Sequence, residues 1–240
     1  MSDIQCVYNA LHLPEYIKLS NRMHVPSLEA FCVMLQWLVY MTCLSVLLMY
    51  YGWSPGVLSR IINHMYEIIY LQLESLLDWD HHQLTVDKLH EYADAISENG
   101  GDWVQVTEGI FGFIDGTVRK IAHPTFNQEI FYSGWKQCHT IKFQGIMAPD
   151  GILMHVSGPY MAKHHDMWML HQSRLQEKLD HYIGLEHGLH LYGDAGYQGQ
   201  EPWVNFAAWN PNNNADLAWM NYHMSTCWIS VEWGYGHIKK

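Results

Sequence analysis

The chain has 240 residues, 49% of them apolar, with eleven Trp and fifteen Tyr; it can bury a sizeable core, and the composition excludes a disordered or low-complexity class. Its formal net charge of -11, thirteen Lys and Arg against twenty-four Asp and Glu, excludes a generally basic nucleic-acid-binding surface, because phosphate binding rests on Lys and Arg displacing condensed counterions. Five cysteines without CxxC spacing offer neither a disulfide framework nor a zinc motif, and predict reduced thiols in an intracellular protein.

The first hundred residues read as helical. The opening Met-Ser-Asp-Ile-Gln carries neither the basic region nor the apolar run of a secretion signal. Ser27 is a candidate N-cap, with Glu29 in the first turn of a helix reaching about Tyr40. A second helix covers Leu44 to Tyr51 and stops at Gly52. Ser54-Pro55 then supplies an N-cap followed by proline at the first helical position. Leu58, Ile61, Ile62, Met65, Ile68 and Ile69 follow at amphipathic spacing. A further helix from Leu84 to Ser97 ends at Asn99-Gly100-Gly101.

Two features of this region admit a second reading. No charged residue lies between Ala30 and Ser59; the largely apolar run is long enough to span a bilayer, although the polar Gln36, Thr42 and Ser45 interrupt it. No Lys or Arg cluster flanks it, so two buried helices are expected and no membrane association. The short helices around Gly52 also have the outline of a helix-turn-helix. Only Ser59, Arg60 and Asn63 stand where base-reading side chains belong, and an ordinary packing module fits as well.

Beyond Gly101 the pattern becomes strand-like. Ile110 to Ile114 is a short apolar run ending in Asp115-Gly116-Thr117. His139 to Ala148 and Ile152 to Ser157 are joined by Pro149-Asp150-Gly151, a hairpin signal. His165 to Asp180 reads as a helix and Leu189 to Tyr192 as a strand ending at Gly193-Asp194. Asn210 to Asn214 is a polar loop, and Ser225 to Ile238 a closing helix that carries Glu232. The order predicts an α/β domain with a mixed sheet.

Asp115 and Asp194 each end a strand, where α/β sheets bind ligands. With Glu232 they form a candidate set of carboxylates that repel one another unless a cation neutralises them. Such hard oxygen ligands suit Mg²⁺ or Mn²⁺, and a pair of ions can promote attack on a phosphodiester. Asp-Gly and Gly-Asp are also ordinary turn chemistry. Asp115-Gly116-Thr117 is reminiscent of haloacid dehalogenase-type phosphatases as well, but the nucleophile position of that scheme falls on Phe113, which has no nucleophilic atom.

A longer string of motifs narrows the choice. Phe113-Ile-Asp115-Gly-Thr117, Ala122-His-Pro124 with Gln128, Tyr132-Ser-Gly134-Trp-Lys136 and His139-Thr-Ile-Lys142-Phe-Gln144 occur in order. Ala148-Pro-Asp-Gly-Ile152, Gly158-Pro159, His165-Asp166, Tyr192-Gly-Asp194-Ala-Gly-Tyr197 and Ile229-Ser-Val-Glu232-Trp-Gly234 follow. Over residues 111–240 this resembles the catalytic domain of Harbinger (PIF/Harbinger) transposases, and more loosely their helical N-terminal region over 15–100.

The resemblance implies a ribonuclease H-like mixed sheet with flanking helices at 104–240, preceded by an all-helical region at 1–103. It implies a DDE nuclease that cleaves DNA phosphodiesters with two divalent ions, Mg²⁺ or Mn²⁺. Asp115, Asp194 and Glu232 would be the catalytic metal ligands, and Asp166 a further ligand, although Asp166 equally suits an N-cap after His164-His165. Lys136 and Lys142 would contact DNA phosphates, or remain solvated. His139 and Lys142 lie an odd number of residues apart on one strand and should face opposite sides. A Myb-like DNA-binding partner and a nuclear, alternatively cytoplasmic, location are implied too.

Three departures stand against that pattern. The sequence stops eight residues after Glu232, Trp228 replaces an arginine expected before the glutamate, and Phe31 to Tyr51 lacks the usual basic and proline residues. They predict a truncated or decaying copy, and with the acidic balance they support a rival expectation: a fold that has lost catalysis and serves as a DNA- or protein-binding module.

Overall fold

The computed structural model describes residues 3–20, 22–40, 43–99, 108–197 and 202–206, with isolated positions 218, 221, 222, 224 and 236. By contacts the chain divides into two compact units, Met1–Glu74 and Ser75–Lys240.

In the first unit helix α1 (Asp3–Ala10) precedes strands β1 (Tyr16–Lys18) and β2 (His24–Pro26), which pair antiparallel with Ile17 opposite Val25. This hairpin corrects the all-helical expectation. Each strand has three residues with a single buried apolar position, Ile17 or Val25, too short for a period of two to show in the sequence. Helix α2 spans Ser27–Tyr40. The Ser27 hydroxyl donates to the Pro14 carbonyl, tying the helix start to the chain before β1.

Helix α3 (Leu44–Tyr51) ends as expected at Gly52, whose positive φ of 70° closes the last turn through a bond from its N–H to the Leu48 carbonyl. Helix α4 (Pro55–Trp79) runs ten residues beyond the last apolar position read from the sequence, Ile69. Val25, Phe31, Val33, Leu47, Leu58, Ile61 and Met65 form the core of this unit. The uncharged stretch is therefore split among α2, α3 and the start of α4, and no described helix is long and apolar enough to cross a membrane. The helices are only partly buried, with Val39, Tyr40, Met49 and Tyr50 exposed.

The second unit is mixed α/β. Thr85 accepts from the Lys88 N–H and so caps helix α5 (Val86–Asn99). Leu89, Tyr92 and Ala93 of α5 belong to the core of this unit, whereas the sequence grouped that helix with the first region. Six strands form one sheet: β3 (Ile110–Lys120), β4 (Tyr132–Ser133), β5 (Cys138–Met147), β6 (Leu153–Met161), β7 (His190–Gly193) and β8 (Val204–Phe206). The long strands run in the order β6-β5-β3-β7-β8, and β4 extends the β6 side beside the start of β5. β3 is antiparallel to β5 and parallel to β7, so the sheet is mixed.

Neighbouring residues alternate between two apolar clusters. Ile114, Ile146 and Leu191 face one, with Leu89, Leu170 and Leu179. Phe113, Met147 and Tyr192 face the other, with Ile96. A sheet covered on both faces explains why β3 begins as an uninterrupted buried run.

Helix α6 (Gln128–Phe131) is a single turn before β4. The helix expected over residues 165–180 is two, α7 (Asp166–Ser173) and α8 (Leu175–Tyr182), with Arg174 at φ 51° between them. The Ser173 hydroxyl donates to the Leu170 carbonyl and accepts from the Leu175 N–H, which supports the break. The Trp203 indole donates to Asp180 at 2.7 Å and anchors the start of β8 to α8.

Candidate functional site

Parallel pairing sets Ile114 of β3 opposite Gly193 of β7. Asp115 and Asp194 are the next residues along, so the two acids lie side by side on chain segments about 4.8 Å apart. Asp194 directly follows β7, whereas β3 runs on to Lys120, so Asp115 lies within its strand and does not end it as the sequence predicted. Glycine is required beside them: a Cβ at Gly193 would lie 2.7 Å from the Tyr197 ring. The Gly116 N–H donates to Asp115 Oδ1 at 2.7 Å, and the Gly196 N–H donates to Asp194 Oδ1 at 2.9 Å.

Asp166 arrives from a different element. It is the first residue of α7, with His165 in the cap position making no side-chain cap bond, and a first-turn carboxylate is favoured by the helix dipole. Its carboxylate lies between the two strands. A Cβ on Gly116 would be 2.6 Å from Asp166 Oδ1, and one on Gly196 would be 3.2 Å from Asp166 Oδ2 and 2.9 Å from Asp194 Oδ1. The two glycines thus leave open the space in which Asp166 and Asp194 meet.

Beneath the acids lies a polar pair that sequence reasoning did not assign a role. Gln144 of β5, opposite Gly116 in the ladder, is fully buried. Its Nε2 donates to the Asp166 carbonyl at 3.2 Å and to the Tyr197 hydroxyl at 3.0 Å. Its Oε1 has no hydrogen-bond partner among the described residues. Tyr197 is also fully buried. Burial pushes its hydroxyl well above the ordinary phenol range, the charge of Asp166 adds to this, and Asp115 and Asp194 add less, against the opposing bond from Gln144. One phenol feels all three carboxylates. The available signal was a glutamine in a strand otherwise destined for the interior.

One side of Asp194 faces solvent. Partial burial of its carboxyl is still the main cause that raises its pKa, with the negative charge of Asp166 adding and the Gly196 N–H opposing. Like charges this close favour a cation between them. The donor chemistry fits a hard divalent ion, although no three His, Cys, Asp or Glu side chains form a ready coordination cluster among the described residues. Glu232 and Trp228 lie outside the described residues.

The remaining expected residues are dispersed. Lys142 is half-buried, and its ammonium donates to the His164 carbonyl at 2.7 Å, fixing the loop that leads into Asp166. The His139 ring packs edge-on against His123 at 4.4 Å and near Tyr132 at 5.5 Å, away from Lys142, in keeping with their odd spacing. Lys136 is exposed, its ammonium 3.8 Å above the Trp135 ring.

The model of the DDE superfamily endonuclease matches residues 114–240, more than half of the chain. The chain belongs to that family. The matched span begins one residue before Asp115 and contains Asp166, Asp194 and Glu232. No curated protein and no solved structure matches the chain. A DDE endonuclease domain implies DNA as its substrate.

Proposed function

We propose that this DDE endonuclease is of the Harbinger type and cuts DNA phosphodiester bonds by in-line attack of water or a 3′-hydroxyl. The observation that carries this reading is the meeting of Asp166, from α7, with Asp194, at the end of β7, in space kept open by Gly116 and Gly196, with Asp115 on the neighbouring strand β3. The strand order, with the antiparallel β6-β5-β3 set followed by parallel β7 and β8, supports a ribonuclease H-like fold.

Asp115 and Asp194 would hold Mg²⁺ or Mn²⁺, with Asp166 and Glu232 as further ligands. Two bound ions supply Lewis-acid activation of the attacking oxygen and neutralise charge on the leaving oxygen. The chain itself supplies position. Gly116 and Gly196 N–H groups each hold one carboxylate oxygen, and Gln144 ties the backbone of Asp166 to Tyr197. Lys142 fixes the loop before Asp166. Held in this way, the acids need little rearrangement as charge develops on the phosphate.

The acidic balance of the chain supports a further part of the reading, a basic Myb-like partner that assists DNA recognition; action in the nucleus belongs to the same reading through the family resemblance. The test is Mg²⁺- or Mn²⁺-dependent nicking of supercoiled DNA by the purified chain. Asp115→Asn and Asp194→Asn should each reduce nicking at least about a thousandfold while leaving the fold intact. Cleavage that survives both changes would discredit the metal-ligand assignment. A wild-type chain that binds DNA and never nicks it would favour the binding-module alternative.

A further inference from the structure

Among the described residues of the second unit, the most exposed large aromatic side chains lie past the carboxyl end of β3. Trp135, in the turn between β4 and β5, is 83% exposed, and Phe126, on the loop between β3 and α6, is 80% exposed. Burying such rings is normally favourable, so a bare tryptophan at a turn is costly unless something covers it. The turn is built, since Ser133 accepts from the Lys136 N–H, Gln137 takes a φ of 52°, and β4 pairs with β5. The loop that carries Phe126 is held to it by His123 against His139.

Two observations identify the occupant. Residues 117–142 contain Arg119, Lys120, Lys136 and Lys142 against the single acid Glu129, in a chain where acids outnumber cations almost two to one. The hairpin is also continuous with the acid site. Asp115 and Lys120 share β3, and Lys120 pairs with Thr140 where β5 leaves the turn. Five strand residues cover about 16 Å, within the width of one duplex. A segment that is locally cationic and aromatic, and that continues the strand leading from the acids, matches a polyanion with exposed bases.

We propose that the Trp135 hairpin is a nucleic-acid subsite in which the indole stacks on an unpaired base of the DNA and Lys136 engages the adjoining phosphate. The indole supplies a flat surface that accepts any base, and the ammonium above one face of the ring adds charge without sequence preference. A fully paired duplex offers no free base face, so this subsite would favour melted or distorted DNA beside the scissile bond. The proposal rests on the nuclease reading for its substrate.

The experiment uses the full chain in Ca²⁺, so that binding is read apart from Mg²⁺-dependent cleavage. Two labelled probes are compared by fluorescence anisotropy: a perfect duplex and the same duplex with a short unpaired run. In the second, one unpaired base is the fluorescent analogue 2-aminopurine. Trp135→Ala should weaken the unpaired probe roughly tenfold, abolish quenching of the analogue and change the perfect duplex little. Trp135→Phe should retain most of the binding. Lys136→Gln should weaken both probes alike and reduce the salt dependence by about one counterion. Equal loss on both probes, or none, for Trp135→Ala would overturn the proposal. So would a change in self-association with DNA binding untouched, which would give the surface to a second copy of the chain. Nicking by a wild type in which Trp135→Ala is neutral removes only the subsite. Binding with the Trp135 effect intact but no nicking removes only the nuclease reading.

Discussion

The two ends of the β3–β5 pair differ in how they treat charge. At one, Asp115 is half-buried and its neighbours are fixed by Gln144, Tyr197 and backbone N–H groups. At the other, Lys136 and Trp135 stand in solvent and touch chiefly each other. An electrostatic site that must hold ions needs preorganised ligands, whereas one that must accept varied DNA gains from a loose, sequence-tolerant surface. A single ladder carries a rigid acidic end and an open basic end, and substitutions should separate them.

The largest contrast is expected from Gly116→Ala. Its Cβ would fall 2.6 Å from Asp166 Oδ1 and 3.2 Å from Met169 Cε, so the ends of both side chains have to move. Metal-dependent nicking should fall roughly a hundredfold, as expected for a displacement of about 1 Å at a positioned group. DNA binding through the hairpin should persist. Wild-type nicking rates in Gly116→Ala would show that Asp166 need not occupy its present place.

Gln144→Leu should sharpen the same contrast from below. It leaves the buried Tyr197 hydroxyl without its donor, at about 1–3 kcal/mol, measurable by chemical denaturation. Nicking should drop with it while anisotropy on DNA changes little. Unaltered stability would mean that the Gln144 bonds contribute nothing net.

Asp194→Asn should act oppositely on stability and activity. The Asp194 carboxyl is held above its ordinary pKa, so its ionisation opposes folding: the native state is favoured while the group is protonated and loses ground as pH rises through the folded value. Without divalent ions, Asp194→Asn should therefore melt slightly higher than wild type at neutral pH, and the gain should shrink as pH falls into the carboxylate range. Added Mg²⁺ should raise the melting point of wild type more than that of the variant. A variant that is less stable at neutral pH would contradict the charge repulsion.

The smallest effect is expected away from both sites. Tyr92 donates to Asp150 at 2.9 Å, and burial followed by that bond holds its phenol at about 12. Its folded value exceeds the unfolded one, so the stabilisation is complete below pH about 10 and disappears as pH rises toward 12. Tyr92→Phe should cost about 1 kcal/mol at neutral pH and flatten that alkaline loss, with nicking and DNA binding unchanged.

How much of this was legible varied with the length of each element. The caps and stops around α3 and α4 were readable because Gly52 and Ser54-Pro55 act locally, through left-handed φ and a missing N–H. β1 and β2 were not, since three residues hold too little pattern. The break between α7 and α8 was hidden because Arg174 is not a residue that announces a left-handed backbone. Asp115 and Asp194 were visible as acids ending apolar runs. Gln144 was visible only as a motif letter, because a strand glutamine looks solvent-facing until its neighbours are known.

By itself the sequence determined the residue types and their order: one acid following an apolar run, a second just after a strand, a third opening a helix, and turn chemistry near these elements. Those are local properties, fixed by backbone preferences within a few residues. Only the tertiary structure decided that Asp166, fifty-one residues after Asp115 and twenty-eight before Asp194, lies between them, and that Gln144 and Tyr197 support it from beneath. Such contacts depend on strand register and on glycines that permit close approach. Both are settled by packing across the whole sheet, which no short window of sequence contains.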